Sequence, residues 1–303
     1  MSVAIPTSSN TLRGIVWMLV TGLCFVAVTA LVKLLAGRVP AAEAAFLRYL
    51  LGLVFLIPMI PALRAVRLTG RQWRLFTIRG VVHTCAVILW FYAMTRIPLA
   101  EVTAMNYLTP VYVTLGAVVF FGERLALRRI MAICVALLGA LIILRPGFRE
   151  LDPGHFAMLA AALFFSGSYL TTKVLANELS PSVVVGMLSI MVTIGLAPMA
   201  ASVWVTPSPG DLAILFAVAS FATGGHFAMT MAFAAAPMTV TQPVTFLQLV
   251  WAVLLGAVAF GEPADIWVVL GGTLVVAAIS FMTWREAVLK RQGVTPVSPA
   301  TKL

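Results

Sequence analysis

Long apolar runs, separated by short clusters of Arg, Pro or Gly, follow one another along almost the whole chain. A helix that crosses a bilayer needs roughly 20 mainly apolar residues, and ten runs come close to that length. They cover about residues 12–36, 43–62, 74–95, 98–121, 127–145, 154–176, 182–204, 211–235, 238–260 and 265–284. The pattern predicts an all-α integral membrane protein with ten transmembrane helices, which we number as spans 1 to 10.

Proline marks two of the shortest boundaries and one position inside a span. Only Arg96-Ile97-Pro98 separates spans 3 and 4, and only Ala236-Pro237-Met238 separates spans 8 and 9. Because proline disfavours helix at the preceding residue and fits the first helical turn, both boundaries predict tight hairpins. Pro110 predicts a bend inside span 4.

The composition agrees with this interpretation and excludes a soluble fold, since 62% of the residues are hydrophobic and only 10% are charged. The net charge of +10 is a topology signal, because cytoplasmic loops of membrane proteins carry an excess of Lys and Arg. With the N-terminus inside, 13 of the 20 basic residues fall in cytoplasmic segments. Both termini are therefore predicted to be cytoplasmic.

The second half of the chain repeats the first at an offset of 139 or 140 residues. Lys33 matches Lys173, Pro98 matches Pro237, and the pair Gly122-Glu123 matches Gly261-Glu262. The predicted repeats occupy 12–145 and 154–284, with a tail at 1–11, an outer linker at 146–153 and a tail at 285–303. Five spans per repeat make the second copy inverted, an arrangement typical of carriers that expose one central site alternately to each side.

These features resemble the EamA group of the drug/metabolite transporter superfamily. The resemblance rests on the ten spans in two repeats, on Phe121-Gly122-Glu123-Arg124 and Phe260-Gly261-Glu262-Pro263, on Phe46-Leu47-Arg48-Tyr49, and on Leu108-Thr109-Pro110-Val111. Span 9 departs from the pattern at Leu247-Gln248-Leu249-Val250, which has no proline. The resemblance implies a secondary carrier of small metabolites in the bacterial inner membrane, with a cavity lined by spans 1, 3, 4, 6, 8 and 9.

The resemblance does not select a cargo among amino acids, nucleobases, riboflavin, S-adenosylmethionine and drugs, because one fold hosts many functions. The predicted partners are a small-molecule substrate, membrane lipids and a coupling proton, with no nucleic acid, and the protein is expected to be a monomer or a homodimer. The three cysteines lie in apolar runs and are interpreted as packing residues. No metal, cofactor or catalytic residue is predicted.

Polar residues inside the spans are the candidates for the substrate site, since such groups are costly in a membrane unless they are paired or face water. Span 4 carries Thr103, Asn106 and Thr109 at a spacing of three, beside Tyr107. The same positions in span 9 are Gln242, Thr245 and Gln248. Two stripes related by the repeat are expected to face each other across a central cavity, although hydrogen bonding between helices is the alternative.

Basic and aromatic residues supply further candidates for the cavity. His83 and Trp90 lie on one face of span 3 together with Arg79, which is expected to extend to the cytoplasmic interface. Arg48 lies within span 2 and needs a partner, either a carboxylate, a backbone carbonyl or an anionic group of the substrate.

Two acids near the outer ends of spans 2 and 4, Glu43 and Glu101, are candidates for proton coupling, with Glu101 preferred. Interfacial positions are the alternative for both. Glu123 and Glu262 are interpreted as structural residues at helix ends. In span 5, the small residues Ala132, Ala136 and Ala140 predict close packing against span 10 at Gly271 and Gly272.

Two classes of function remain at this point. The first is a secondary transporter of a small organic metabolite, and the alternative is an integral-membrane enzyme acting on a lipid-linked substrate. The enzyme would need a nucleophile, an acid and base pair or a metal cluster near the interface, and no closely spaced His or acidic motif supplies one. The sequence does not indicate whether transport is inward or outward.

Overall fold

The structure is a computed structural model that describes residues 8–121, 127–148, 150–176, 178–235, 244 and 246–292. These residues form twelve α-helices and one short 3₁₀ helix. The helices are α1 (Ser8–Leu34), α2 (Ala41–Gly52), α3 (Ile60–Ala65), α4 (Gly70–Arg96), α5 (Leu99–Asn106), α6 (Thr109–Phe121), α7 (Leu127–Leu144), α8 (Pro153–Ala176), α9 (Pro181–Ser202), α10 (Pro209–Ala235), α11 (Phe246–Phe260) and α12 (Ile266–Gln292). Each of the ten predicted spans is helical in its described part. Span 4 is divided into α5 and α6, and span 2 consists of α2, the 3₁₀ helix Leu53–Met59 and α3.

Five of the described helical stretches are long and apolar enough to cross a membrane unaided: Leu12–Leu34, Ala41–Ala65, Gly70–Arg96, Ser182–Ser202 and Pro209–Met229. Shorter apolar helices cover Ile130–Leu144, Leu247–Phe260 and Ile266–Phe281. Large apolar side chains also cover the outside of the bundle, with Val119 and Val258 more than three-quarters exposed. Water-soluble proteins rarely expose so continuous an apolar surface. Together with the apolar helices, this surface identifies a multi-pass membrane protein.

Prolines determine where several helices begin and break. Span 4 is broken between Asn106 and Thr109, because the ring of Pro110 collides with the carbonyl four residues earlier and removes one backbone N–H. The predicted bend is therefore confirmed, whereas α11 continues without a break through the proline-free stretch 247–250. The predicted hairpin at Pro98 is also confirmed, since α4 ends at Arg96 and α5 begins at Leu99. The equivalent boundary at 236–238 lies outside the described residues.

The two halves of the chain interlock. The most extensive helix contacts join α1 to α10, α4 to α8 and α7 to α12, and further contacts join α2 to α9 and α5 to α11. In every one of these pairs, one helix comes from residues 12–145 and the other from 154–284. The interior between the halves is well filled, and Phe91, Met94 and Leu196 are completely buried in it.

The contact between α7 and α12 confirms the predicted packing of span 5 on span 10. Ala136 is fully buried in a cluster that includes Val275 of α12. A Cβ built on Gly271 would lie 2.5 Å from the backbone oxygen of Gly139, and one built on Gly139 would lie 2.6 Å from the oxygen of Gly271. The two backbones therefore touch. Gly272 faces a different neighbour, Leu249 of α11.

Candidate functional site

A cluster of basic and aromatic side chains lies between α2, α4 and α8, and we call Arg48, Tyr49, His83, Phe165 and Ser168 the Arg48 cluster. Arg48 lies on α2, and its side chain is only 9% exposed. Its guanidinium carbon lies 4.1 Å from the centre of the Tyr49 ring. Stacking of this kind uses the flat face of the guanidinium and leaves its N–H edges available.

A chain of hydrogen bonds fixes the imidazole in this cluster. The Tyr49 hydroxyl lies 3.0 Å from His83 Nε2, and Ser168 Oγ lies 2.9 Å from His83 Nδ1. Ser168 is completely buried and His83 is 8% exposed. Both ring nitrogens are thus occupied by hydroxyl groups, which can donate or accept and so match either tautomer of the imidazole.

Aromatic rings extend the cluster along α4 and α8. The Phe165 ring packs edge-on against His83 at 5.2 Å and against Trp90 at 6.0 Å. Trp90 also meets Phe91, and Phe165 is stacked on Tyr169. Edge-to-face packing of this kind is favourable beyond the burial of area alone and holds the rings in fixed orientations.

Two buried arginines, Arg48 and Arg79, make this region positive. His226 of α10 packs edge-on against Phe25 of α1. Arg79 is buried at 5% exposure and donates from Nη1 to the backbone oxygen of Val184 at 2.9 Å. The expectation that Arg79 extends to the interface is therefore wrong, because α9 covers its side chain and supplies an acceptor.

The predicted polar stripe on span 4 divides into separate roles. The Thr103 hydroxyl donates to the Leu99 oxygen within its own helix, at 2.9 Å, which is the usual use of threonine in a membrane helix. Asn106 lies at the end of α5, where its Oδ1 accepts a weak hydrogen bond from Thr109 Oγ1 at 3.4 Å. Tyr107, in the break itself, is hydrogen-bonded to the backbone of Leu249.

On the other side of this break, Gln248 of α11 packs against α1, where a Cβ built on Gly22 would lie 3.6 Å from the Gln248 Cβ. Tyr107 and Leu249 therefore link spans 4 and 9, which carry the two predicted stripes. No described contact joins Asn106 to Gln248. The other two predicted residues of span 9, Gln242 and Thr245, lie outside the described residues.

Glu101 lies apart from the Arg48 cluster, at the end of the bundle that holds the 97–98 and 145–153 connections. Its Oε2 is 2.6 Å from His155 Nε2, and the two side chains are only 4% and 5% exposed. His155 Nδ1 lies 3.0 Å from the backbone oxygen of Asp152. The pair borders a cavity of about 270 Å³ lined by Arg96, Ile97, Pro98, Ala100, Glu101, Asp152, His155, Pro263, Asp265 and Val268.

The ion pairs around this cavity tie several helix ends together. Arg96 Nε lies 3.0 Å from Asp152 Oδ1, and this hydrogen bond lowers the pKa of the Asp152 carboxyl below its ordinary value. Asp265 is paired with Arg145. Asp152 is consequently ionised throughout the physiological range, whereas Glu101 of the same cavity is paired with His155.

Glu262 connects three elements at the same end. It forms an ion pair with Lys33 at the end of α1, and its Oε2 accepts from the Leu99 backbone N–H at 3.0 Å. Lys33 Nζ also donates to the Ile97 oxygen at 3.0 Å. These contacts agree with the structural role predicted for Glu262, while the corresponding Glu123 lies outside the described residues.

Glu43 is completely buried near the same end of the bundle. Its Oε2 accepts from the Val205 backbone N–H at 2.9 Å, while Oε1 has no hydrogen-bond partner among the described residues. It contacts the connection between α9 and α10 and is not paired with Arg48. The structure therefore separates the two acids considered for proton coupling and places only Glu101 next to a titratable partner.

Sequence reasoning missed His155, Phe165 and Ser168. The signal for Ser168 was present, since a serine inside an apolar span needs a hydrogen-bond partner. His155 stands in the first turn of span 6, where it passes for a loop residue until the 97–101 region is folded onto it. Phe165 gave no signal, because phenylalanine is common in any membrane helix.

The described residues form a helical membrane bundle with a polar and aromatic cluster between its two halves, which is an arrangement that small-molecule transporters use. Residues 12–145 and 152–284 each match the model of the EamA-like transporter family. The chain belongs to the EamA-like transporter family, as its sequence motifs predicted.

Relatives of known function cover almost the whole chain. It is 24% identical over 275 residues to an S-adenosylmethionine uptake transporter of Rickettsia prowazekii, covering 91% of this chain and 94% of that protein. It is 26% identical to a riboflavin transporter of Vibrio cholerae, with coverage of 93% and 96%. It is also 26% identical to a pseudopaline exporter of Pseudomonas aeruginosa, with coverage of 88% and 94%.

A solved crystal structure supports the fold alone. It covers 92% of this chain and 99% of its own, with a TM-score of 0.60 at 20% identity. The family and the relatives together identify this protein as a small-molecule transporter.

Proposed function

We propose that this protein is a secondary active transporter that moves a small organic metabolite across the bacterial inner membrane by alternating access. The observation that carries the proposal is the Arg48 cluster, since it is built from α2 and α4 of one half and α8 of the other. A site between two halves changes its exposure when the halves move against each other. Aromatic rings combined with a few polar groups suit an organic solute better than a bare ion.

The proposal includes two inverted five-span repeats, and the pattern of helix contacts supports it. Exchanging span 1 with 6, 2 with 7, 3 with 8, 4 with 9 and 5 with 10 converts the contact of α1 with α10 into that of α8 with α4. The same exchange maps three further contacts onto themselves, namely those of α2 with α9, α5 with α11 and α7 with α12. A two-fold relation between the halves accounts for all of these pairs.

One end of the bundle is held closed by charges, which supports a gating role for that end. Ion pairs join Lys33 to Glu262, Arg96 to Asp152 and Arg145 to Asp265. Each pair connects the end of a helix from the first half to the beginning or end of one from the second half. With both termini cytoplasmic, as the distribution of Lys and Arg predicts, this end faces outward, and its ion pairs separate when the site opens to the outside.

We propose further that a coupling proton binds at the pair of Glu101 and His155. The pair is buried and lies between α5 and α8, two elements from different halves. Among the described residues, the charged groups that face it are Arg96 with Asp152 and Asp265 across the cavity, and Lys33 with Glu262 next to the first turn of α5. The Glu101–His155 pair joins a carboxylate of one half to an imidazole of the other, so a movement of the halves changes the surroundings of the carboxylate.

The proposal assigns no reaction chemistry to the protein, which acts as a monomer or homodimer in contact with lipid. It is tested by reconstituting the purified protein into liposomes and screening uptake and counterflow of amino acids, nucleobases, nucleosides, riboflavin and S-adenosylmethionine, with and without a pH gradient. Saturable movement of a solute recovered unchanged by mass spectrometry is expected. Absence of saturable movement for the whole panel, or chemical conversion of the solute, would contradict the proposal.

Asn106→Ala and Gln248→Ala are expected to raise the KM of transport by about tenfold each, because each loses one hydrogen bond to a polar solute. The folded yield should stay at the wild-type level. The measurement is initial uptake rate against solute concentration in proteoliposomes.

The matched control is Thr193→Ala, which removes a hydroxyl that donates to the Ser189 oxygen inside α9. This variant should transport with the KM of the wild-type protein. If Asn106→Ala and Gln248→Ala also keep the wild-type KM, the solute does not contact the two residues. The prediction that the polar stripes of spans 4 and 9 line the substrate cavity would then be wrong.

A further inference from the structure

Arg48 has an unusual position for a charged residue in a membrane bundle. Its side chain is about nine-tenths buried, and in the part of the chain that the structure describes it has no hydrogen bond and no ion pair. The only contact that uses its charge is the stacking on Tyr49. A charged side chain inside a membrane costs several kcal/mol unless it is paired or faces water, so Arg48 is retained for a partner that is not part of the helices around it.

The neighbouring charges make the need for such a partner greater. Arg79, one turn before His83 on α4, is a second buried arginine, and among the described residues no acid pairs with either guanidinium. Glu43, on the same helix, directs its Oε2 to the backbone of Val205. The region thus concentrates positive charge where the dielectric is low and attraction for an anion is strong.

Arg48 differs from its neighbours in its free hydrogen-bonding capacity. Arg79 donates from Nη1 to Val184 and leaves Nε without a partner among the described residues, and His83 has both nitrogens occupied by Tyr49 and Ser168. Arg48 makes no hydrogen bond to a described residue. The guanidinium of Arg48 keeps its five N–H donors in a planar fork, which matches the two oxygens of a carboxylate.

We propose that Arg48 is the anchor for a carboxylate group of the transported solute, and that the rest of the solute packs along the rings of Tyr49, His83 and Phe165. The inference rests on the proposed transport function and names the class of solute, which is an organic anion or zwitterion with a flat apolar part. Arg79 contributes to the positive potential without contacting the carboxylate. The stacked Tyr49 ring holds the guanidinium in one plane and so reduces the entropy lost on binding.

The test measures binding to the detergent-purified protein and therefore does not depend on transport. Thermal-shift titrations use three probes of similar shape: phenylacetate, its neutral amide phenylacetamide, and phenyl phosphate. The wild-type protein is expected to be stabilised by phenylacetate and not by the amide. Arg48→Gln should weaken the apparent Kd for phenylacetate by about tenfold or more, because a charge-assisted hydrogen bond is lost.

Arg48→Lys keeps the charge but not the fork, and it is expected to bind phenylacetate with an intermediate Kd. Since it retains the positive charge, this variant also guards against a failure of Arg48→Gln to fold. The matched control is Arg38→Gln, which removes an arginine that is 53% exposed at the end of the bundle. This control should bind all three probes as the wild-type protein does.

Three results would overturn the inference. They are equal stabilisation by phenylacetate and phenylacetamide, unchanged binding in Arg48→Gln, and stabilisation by phenyl phosphate alone, which would assign the site to phosphate esters. A protein that binds the acid through Arg48 but moves no solute in liposomes would contradict the transport function and leave the anchor in place. If the protein transports a solute but its anion binding does not depend on Arg48, the anchor is wrong and the transport function stands.

Discussion

Glu101→Gln is expected to abolish the accumulation of solute driven by a pH gradient, while solute counterflow between equal pH values continues. A gradient of one pH unit is worth about 1.4 kcal/mol per proton and supports about tenfold accumulation when one proton moves with each solute. Glutamine keeps the shape of the side chain and can still bond to His155, but it does not titrate. The accumulation ratio should therefore fall from about ten towards one.

The physical reason is that coupling requires one group whose proton affinity differs between the two conformations of the carrier. The proposal gives this role to Glu101 because its partner, His155, belongs to the other half of the chain. If the halves move apart as proposed, the carboxylate and the imidazole are expected to separate and to become exposed to water. Counterflow needs only the exchange of solute on the two sides, so it does not depend on this titration.

Asp152→Asn is the matched control for this experiment. Asp152 lines the same cavity and is also an acid, but it is a third exposed and its partner is Arg96. Its loss should weaken the closed end of the bundle without removing the pH-driven accumulation. If Glu101→Gln accumulates solute as the wild-type protein does, or if Asp152→Asn loses accumulation to the same degree, the coupling site is not at Glu101.

Much of the fold could be predicted from sequence because the bilayer imposes a length on every span. The predicted bounds of the apolar runs agree with most ends of the described helices to within a few residues, and Pro98 and Pro110 marked real breaks. The prediction was poorest at the end of α12, which extends to Gln292, eight residues past the predicted end at 284. Charged residues end an apolar run, but they do not end a helix.

The candidate site was less predictable, because its geometry depends on which helices meet. The sequence drew attention to Arg48 and His83 as isolated basic residues, and the structure brings both to the same Tyr49 ring. It gave no reason to connect Glu101 with His155, since the two residues are 54 positions apart and in different spans. The burial of Arg79 under α9 was missed for the same reason, because position along a span does not tell which face a neighbouring helix covers.

The second large effect is expected from the contact between α7 and α12, where Gly139→Ala and Gly271→Ala should each lower the thermal unfolding midpoint substantially. The added Cβ would lie within 2.5 to 2.6 Å of a backbone oxygen on the facing helix, and backbone cannot rotate away as a side chain can. The helices must move apart, which exposes or loosens the packing around Ala136 and Val275. Overpacking of this kind costs about 1–3 kcal/mol, or a shift of roughly 2–12 °C for a chain of this size.

Gly224→Ala on α10 is the matched control, because a Cβ built there meets nothing within 4 Å. Alanine is favoured over glycine in a helix by about 1 kcal/mol, so this control should be neutral or slightly stabilising. The measurement is thermal unfolding of the detergent-solubilised variants at equal protein and detergent concentration. Equal midpoints for all three variants would mean that α7 and α12 do not touch at these glycines, whereas a loss confined to Gly139 and Gly271 would show that the two backbones are in contact there.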